Sequence, residues 1–255
     1  MTDAPKFAFS RTTLALGGKT ILQDISVEIA AGEFLCIIGA SGCGKTTALR
    51  LAAGLYQPTA GEVRLDGRSM TAPRPDVAIV FQDYGKALLP WRTATGNISL
   101  AMEAGGLPKA ERGERIAELL NLVGLSGQGD KYPGEMSGGM QQRLQIARCL
   151  AQNPSVLLMD EPFGALDAMT RQGLQDEVLE LVARSGTTVI FVTHDLEEAI
   201  YLGDRVVGLL PHPGRVGIDV PVQLSRPRHQ LATREDPEFL RLRRELFDFI
   251  KGSEA

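Results

Sequence analysis

No run of apolar residues in this chain approaches the ~20 needed to cross a bilayer. The opening residues, Met1 to Lys6, have neither the charged start nor the apolar middle of a secretory leader. A soluble, cytosolic protein is therefore expected. Cysteine is scarce: Cys36, Cys43 and Cys149 are an odd, widely spaced set without a CxxC pair, which argues against a disulfide framework or a cysteine metal site and for reduced thiols. Basic charge is not in excess either. The net formal charge is −4, so no global field gathers nucleic acid or anionic lipid, and neither is expected as a partner. Long heptad runs are missing as well. What is present is length and apolar content: 255 residues at 44% hydrophobic can bury a full core in one large domain, or in one domain with an inserted subdomain.

The most constrained stretch is Gly39, Ala40, Ser41, Gly42, Cys43, Gly44, Lys45, Thr46 and Thr47, which reads GxxxxGK followed by threonine. An apolar run, Phe34 to Ile38, precedes it as a buried strand, and Ala48 to Ala53 follows as a helix stopped by Gly54. Strand, glycine-rich turn and helix is the context a phosphate-binding loop requires. Glycines let successive backbone N–H groups converge on phosphate oxygens, and the helix N-terminus adds partial positive charge. Lys45 is expected to reach the outer phosphates and Thr46 to place its hydroxyl on Mg²⁺. The competing reading is a glycine turn that only links strand to helix. Cys43, set among phosphate-binding amides, is expected to have a lowered pKa and to react with alkylating reagents unless nucleotide is bound.

Before the loop, Phe7 to Ser10, Thr12 to Leu16 and Thr20 to Ile29 alternate like strands around a Gly17–Gly18–Lys19 turn. With the short strand at Gly61 to Asp66, they form an antiparallel β layer. Asp76 to Phe81 reads as a core strand ending at Gln82, a polar amide placed to meet a ligand at the strand's C-terminal edge. From Gly85 to Ala151 the pattern turns helical. Pro108 starts one helix, with Ile116, Leu119, Leu120 and Val123 along a face, and Ser137–Gly138–Gly139 opens another. That triplet is a second candidate anion site, or only a helix cap.

Ser155 to Met159 is an apolar strand that runs into Asp160–Glu161. Paired carboxylates at a buried strand end are costly unless a cation compensates. Asp160 is expected to hold Mg²⁺ through water and Glu161 to orient or deprotonate the attacking water; the competing reading points both acids to solvent. Thr187 to Val192 is a further strand ending at His194, on the same type of edge. Arg205 to Leu210 is the last strand expected, since Pro211 and Pro213 break the pattern. Asp236–Pro237 starts a final helix with Phe239, Leu242, Leu246 and Ile250 on its packed side.

With these residues placed, the chain resembles the ATP-binding subunit of ABC transporters from about Phe7 to its end. GASGCGKTT, Gln82 in VFQD, MSGGMQQR, VLLMDEP, Ala165–Leu166–Asp167 and His194 in VTHD occur in the family's order. The resemblance implies a P-loop NTPase core, a mainly parallel sheet with helices, carrying an antiparallel β layer and an inserted helical subdomain. Its parts would be a core and β layer (1–84), a helical subdomain (85–152), a core continuation (153–210) and a C-terminal extension (211–255). It also implies that two copies close head to tail over two ATP molecules with Mg²⁺, each nucleotide lying between the Lys45 loop of one copy and Ser137, Gly138 and Gly139 of the other. Asp167 would cross that interface, Gln82 would touch Mg²⁺ and the attacking water, and His194 would contact the γ-phosphate. Closure on ATP and release on hydrolysis would move attached membrane subunits.

Leu16 stands where the family commonly has an adenine-stacking aromatic, so selection of ATP over GTP rests on an apolar surface alone. Met136 and Met140 replace the usual leucine and glutamine around the triplet. Asp83–Tyr84 with Ala87 to Trp91, the Leu210 to Arg215 turn, and Ser225 to Arg228 are similar to the nitrate, sulfonate and taurine importer branch. That likeness implies import of a small anion, a separate solute-binding protein, and a membrane permease contacted near Gln82 to Trp91 that holds the chain on the inner face of the membrane. Trp91, the single tryptophan, is either that contact or a core aromatic. A soluble ABC-type ATPase of DNA repair or translation, or a regulatory module that closes without hydrolysis, are the rival functions; one motif set, with Glu161 and His194 present, weighs against both.

Overall fold

The computed structural model describes residues 4–83, 87–164 and 166–253. Of the expectations above, those on Met1 to Asp3, on Tyr84, on Gly85 as the start of the helical stretch and on Ala165 lie outside the described residues. Two compact units emerge, one built from the chain up to Arg74 and again from Val182 onward, the other from Pro75–Leu181.

In the first unit, β1 (Phe7–Leu16), β2 (Lys19–Ile29), β4 (Ala60–Leu65) and β5 (Arg68–Ser69) form an antiparallel sheet in the order β2-β1-β4-β5. The two short segments expected at the start are one bulged strand, since Arg11 has φ 47° and the pairing register shifts there while the ladder continues. A second set pairs in the order β10-β9-β3-β8: β3 (Phe34–Gly39), β8 (Thr188–Val192), β9 (Arg205–Leu210) and β10 (Arg215–Pro221). Strand β3 is buried along its whole length and runs parallel to β8 and β9 on its two sides, which is why it reads as an unbroken apolar run. Phe34 and Phe191 meet across the β3/β8 pair with ring centroids 5.8 Å apart.

Strand β10 corrects the expectation that Pro211 and Pro213 end the sheet. The prolines occupy a turn, and the chain returns antiparallel to β9 with Val216, Ile218 and Val220 half-buried between exposed residues. The helices of this unit are α1 (Lys45–Ala52), α6 (Leu196–Leu202), α7 (Ala232–Glu235) and α8 (Pro237–Ser253). On α8, Phe239, Leu242 and Leu246 are buried, as their spacing predicts. Phe249 rests on the bare backbone of Gly208 and Gly217 in β9 and β10.

Ser225 to Arg228 has a structural task in this unit. Arg228 is buried and donates from Nη1 to the carbonyls of Ile200 (2.9 Å) and Tyr201 (2.6 Å), while Arg226 reaches Leu202 O (3.1 Å) and pairs with Asp204 (2.6 Å). Those carbonyls end α6, where no intrahelical donor remains and a cation is favoured. Burial pushes the Arg228 pKa down to about 10, still charged at neutral pH.

The second unit holds the parallel pair β6 (Val77–Val80) and β7 (Val156–Asp160) and the helices α2 (Ala94–Ala104), α3 (Lys109–Leu122) and α4 (Gly138–Leu150). Ile98, Met102, Ile116, Leu119, Leu120, Val123 and Leu144 form its helical core. Asn97, fully buried, accepts from Leu89 N and donates to the carbonyls of Leu89, Arg92 and Thr93. It pins the turn carrying Trp91, which projects 71% exposed, and this exposure rules out the core-aromatic reading. Helix α5 (Ala168–Ser185) follows in sequence across the boundary between the units.

Candidate functional site

Strand β3 delivers the chain into the phosphate loop, and α1 begins at Lys45 with Gly44 as its N-cap. Packing sets the loop's path. Gly39 has φ +152°, and a Cβ there would lie 2.6 Å from Cys43 Sγ and 2.7 Å from Leu209 O, so only glycine fits. From behind, Gly214 of the β9–β10 turn touches the Cys43 carbonyl so closely that a Cβ would collide with it. Gly214 is stitched in place by Gly214 N to Ile21 O and Gln23 N to Gly214 O, both 2.8 Å. The Lys45 ammonium turns back into the loop, donating to Gly39 O at 2.7 Å and Ala40 O at 3.2 Å, and the residue is only 8% exposed. These carbonyls hold the lysine over the loop where phosphate oxygens would take their place.

Cys43 does not match the reading of a reactive thiol. Its side chain is fully buried against Gly39, and burial raises its pKa more than the nearby Lys45 charge and the backbone hydrogen bonds lower it. The sulfur faces inward, beside Gly39.

His194 stands two residues beyond the end of β8 and is exposed. Its flanks are fixed on both sides. Thr193 donates from Oγ1 to the buried Glu198 carboxylate, and Asp195 caps α6 by accepting from Glu197 N and Glu198 N at 2.9 and 3.2 Å. The arginine clamp at the other end of α6 completes that anchoring. Within the first unit the fold brings His194 together with the start of the phosphate loop: a cavity of about 470 Å³ is lined by Gly39, Ala40, Ser41, His194 and Leu196, and by Phe247, Ile250 and Lys251 of α8.

In the second unit, Asp160 is 5% exposed at the end of β7, and Glu161 follows it with φ 48°, a left-handed conformation that costs a non-glycine residue about 1–3 kcal/mol. Asp160 is buried and Glu161 half-buried, so the two acids do not both point to solvent. Gln82, one residue beyond Phe81, donates from Nε2 to Glu161 Oε2 at 3.3 Å. Helix α4 holds that edge in position. The Gln145 amide, oriented to satisfy both its atoms, pairs with Phe81 N at 2.7 Å and Phe81 O at 3.1 Å, and the Cys149 thiol donates to Ile79 O at 3.2 Å. Sequence reasoning missed Gln145, and only its place as a buried polar residue on an apolar helix face pointed to it.

Ser137 is exposed and caps α4 through its Oγ, which accepts from Met140 N at 3.3 Å. Gly138 and Gly139 form the helix's first turn. Asp167 is exposed and accepts from Thr170 N at 3.0 Å; the hydrogen bonds from Thr170 hold its carboxyl below the usual range, so it is ionised at neutral pH. Leu16 is 40% exposed and offers an apolar face.

For Mg²⁺, the named donors are the Thr46 hydroxyl, the Gln82 amide oxygen and the Asp160 carboxylate, all hard oxygen ligands of the kind that ion takes. Among the described residues no group of three or more histidines, cysteines or acids forms a metal cage. Each of these oxygens taken singly fits an ion that arrives on nucleotide phosphates and keeps part of its water.

The profile of the family described as ABC transporter matches residues 22–164, more than half of the chain. An uncharacterized ABC transporter ATP-binding protein of Methanocaldococcus jannaschii is 48% identical over 230 residues, covering 90% of this chain and 84% of that protein. The nitrate import ATP-binding protein NrtD of Synechococcus elongatus is 44% identical over 237 residues, covering 92% and 86%. Among solved structures, the dimeric post-hydrolysis state of the ATP-binding cassette MJ0796 bound to ADP and Pi superposes with a TM-score of 0.76 at 32% identity, covering 85% of this chain and 99% of that one. Likeness of this length and depth has one reading: the chain belongs to the ABC transporter family and is one of its ATP-binding, ATP-hydrolysing subunits.

Proposed function

We propose that this subunit powers the import of a small anion of the nitrate, sulfonate or taurine class through a membrane permease, with a separate solute-binding protein delivering the cargo. Two copies close head to tail over two MgATP. The closure is supported by two helix N-termini on one chain, the Lys45 loop at the head of α1 and the exposed Ser137 cap at the head of α4, and the import of a small anion by the likeness to the nitrate import protein NrtD. Each N-terminus completes the other when supplied by a second copy.

In that assembly the amides of Gly39 to Thr47 and the Lys45 ammonium hold the phosphates of one nucleotide, and Ser137, Gly138 and Gly139 of the partner close over it. Thr46, Asp160 and Gln82 would hold Mg²⁺, which would supply neutralisation of phosphate charge. Glu161 takes a proton from the attacking water, which Gln82 helps to orient, and His194 donates to the γ-phosphate. The exposed Trp91, on a turn stiffened by Asn97, is the contact through which the permease senses closure and through which the chain is held at the inner membrane face.

Reconstitution tests the reading. Proteoliposomes containing the permease, with binding protein added, should take up labelled nitrate, taurine or an alkanesulfonate only with MgATP. Trp91→Ala should keep basal ATP hydrolysis and lose most of the uptake. ATP hydrolysis indifferent to permease and binding protein, with no uptake of any of the three, would remove the importer assignment.

A further inference from the structure

The C-terminal helix α8 buries one face in its own unit and leaves another bare. Phe247 is 57% exposed, and with Ile250 and Lys251 it lines the cavity that also contains Gly39, Ala40, Ser41 and His194. This wall is apolar with one cation at its end, and among the described residues Lys251 forms no ion pair. Elsewhere on the chain stands a feature of opposite charge. Met169 is 77% exposed on the first turn of α5, two residues after Asp167. An unbranched thioether beside a carboxylate matches a cavity of phenylalanine, isoleucine and lysine in both polarity and charge.

We propose that the partner subunit's Met169 seats in the cavity between the phosphate loop and α8, against Phe247 and Ile250, with the carboxylate of the partner's Asp167 facing Lys251. This inference rests on the head-to-tail reading above, in which Asp167 crosses the interface between the two copies. It adds the C-terminal helix to the surface that closes on nucleotide. Three observations support it. The cavity is lined by Ala40 and Ser41 of the phosphate loop, over which that reading closes the partner. Hydrogen bonds from Thr170 keep Asp167 ionised. Met169 and Phe247 are both exposed in the single chain, and one contact between copies covers both. The consequence is regulatory in character: whatever displaces α8 weakens the ATP-bound dimer without touching a phosphate ligand.

The test uses the full chain carrying Glu161→Gln, with MgATP. In that background Met169→Cys with Phe247→Cys should give a covalent dimer on mild oxidation that depends on MgATP; the native thiols of Cys36, Cys43 and Cys149 are buried and do not compete. In separate variants, Phe247→Ala should weaken dimerisation about a hundredfold in sedimentation, about tenfold for each of the two buried apolar side chains that the closed dimer loses. Because both positions are exposed, thermal stability should not change. If MgATP produces a dimer but the cysteine pair does not cross-link and Phe247→Ala dimerises normally, the α8 contact is overturned and the head-to-tail dimer stands. Cross-linking that is equal with and without MgATP also overturns it. If no dimer forms in either assay, the head-to-tail reading fails and the α8 contact with it.

Discussion

The phosphate loop and the Gln82–Glu161 edge are both strand ends that the proposed function assigns to a nucleotide, yet they are made differently. The loop is shaped by packing. Gly39 is fitted against Cys43 Sγ and Leu209 O, Gly214 presses from behind, and Lys45 is already held by the loop's own carbonyls. The edge proposed for hydrolysis is shaped by strain and a long hydrogen bond: Glu161 sits at positive φ, and Gln82 reaches it at 3.3 Å. A binding element gains from rigidity because its partner's geometry never changes. A catalytic edge that must act only after closure gains from being held short of its final geometry.

The largest expected effect separates these two roles. Glu161→Gln keeps the size of the side chain and loses the base, so ATP binding should be unchanged while turnover falls about 10²–10⁴-fold, the usual worth of a general base. Equilibrium nucleotide binding and steady-state phosphate release measure the two halves. Loss of binding instead of turnover would mean that the edge, too, is part of the grip.

Next in size is Gly214→Ala, which attacks the grip from behind without touching a phosphate ligand. The added methyl group has no room beside the Cys43 carbonyl. Overpacking of this kind costs about 1–3 kcal/mol, and part of it should appear as weaker ATP affinity because the strained atom belongs to the loop. Adding the same methyl group at Gly113, whose Cβ position is open, is the control for a helical glycine that faces nothing. Equal ATP affinity in the two variants would show that the β9–β10 turn supports only the fold.

Much of this architecture was legible in the sequence, and the exceptions have physical causes. β3, β7 and β8 were readable because a strand covered on both faces must be continuously apolar. The phosphate loop was readable because its chemistry fixes residue types at fixed spacing. β10 was not, because two prolines look like a stop when they are in fact a turn between antiparallel strands. Nor was the burial of Cys43, since which way a loop residue faces depends on Leu209 and Gly214, some 170 residues away in the chain. The Arg226 and Arg228 pair carried a family likeness in the sequence and no mechanism; the mechanism is the clamp on the last carbonyls of α6. Gln145 gave the weakest signal of all, one polar residue on an apolar helix face.

The smallest effect is expected at Cys43, where the comparison is sharpest, because a residue in the middle of a ligand-binding loop behaves as core. Its sulfur fills the space beside Gly39, and burial dominates its pKa. Alkylation by maleimide in the native protein should therefore be slow, close to the rate at the equally buried Cys36 and Cys149, whose thiol pKa values burial likewise raises, to about 11 at Cys149. MgATP should change that rate little, since the thiolate is absent and the sulfur inaccessible before nucleotide arrives. Cys43→Ala should lower stability by about 1 kcal/mol through the lost sulfur contacts while leaving ATP affinity within a few-fold, because the amides do the binding. Mass spectrometry of the labelled peptide decides between the two possibilities. Fast labelling suppressed by MgATP would mean that the loop opens far enough to expose its inner face, and the grip would then be no more rigid than the edge that does the chemistry.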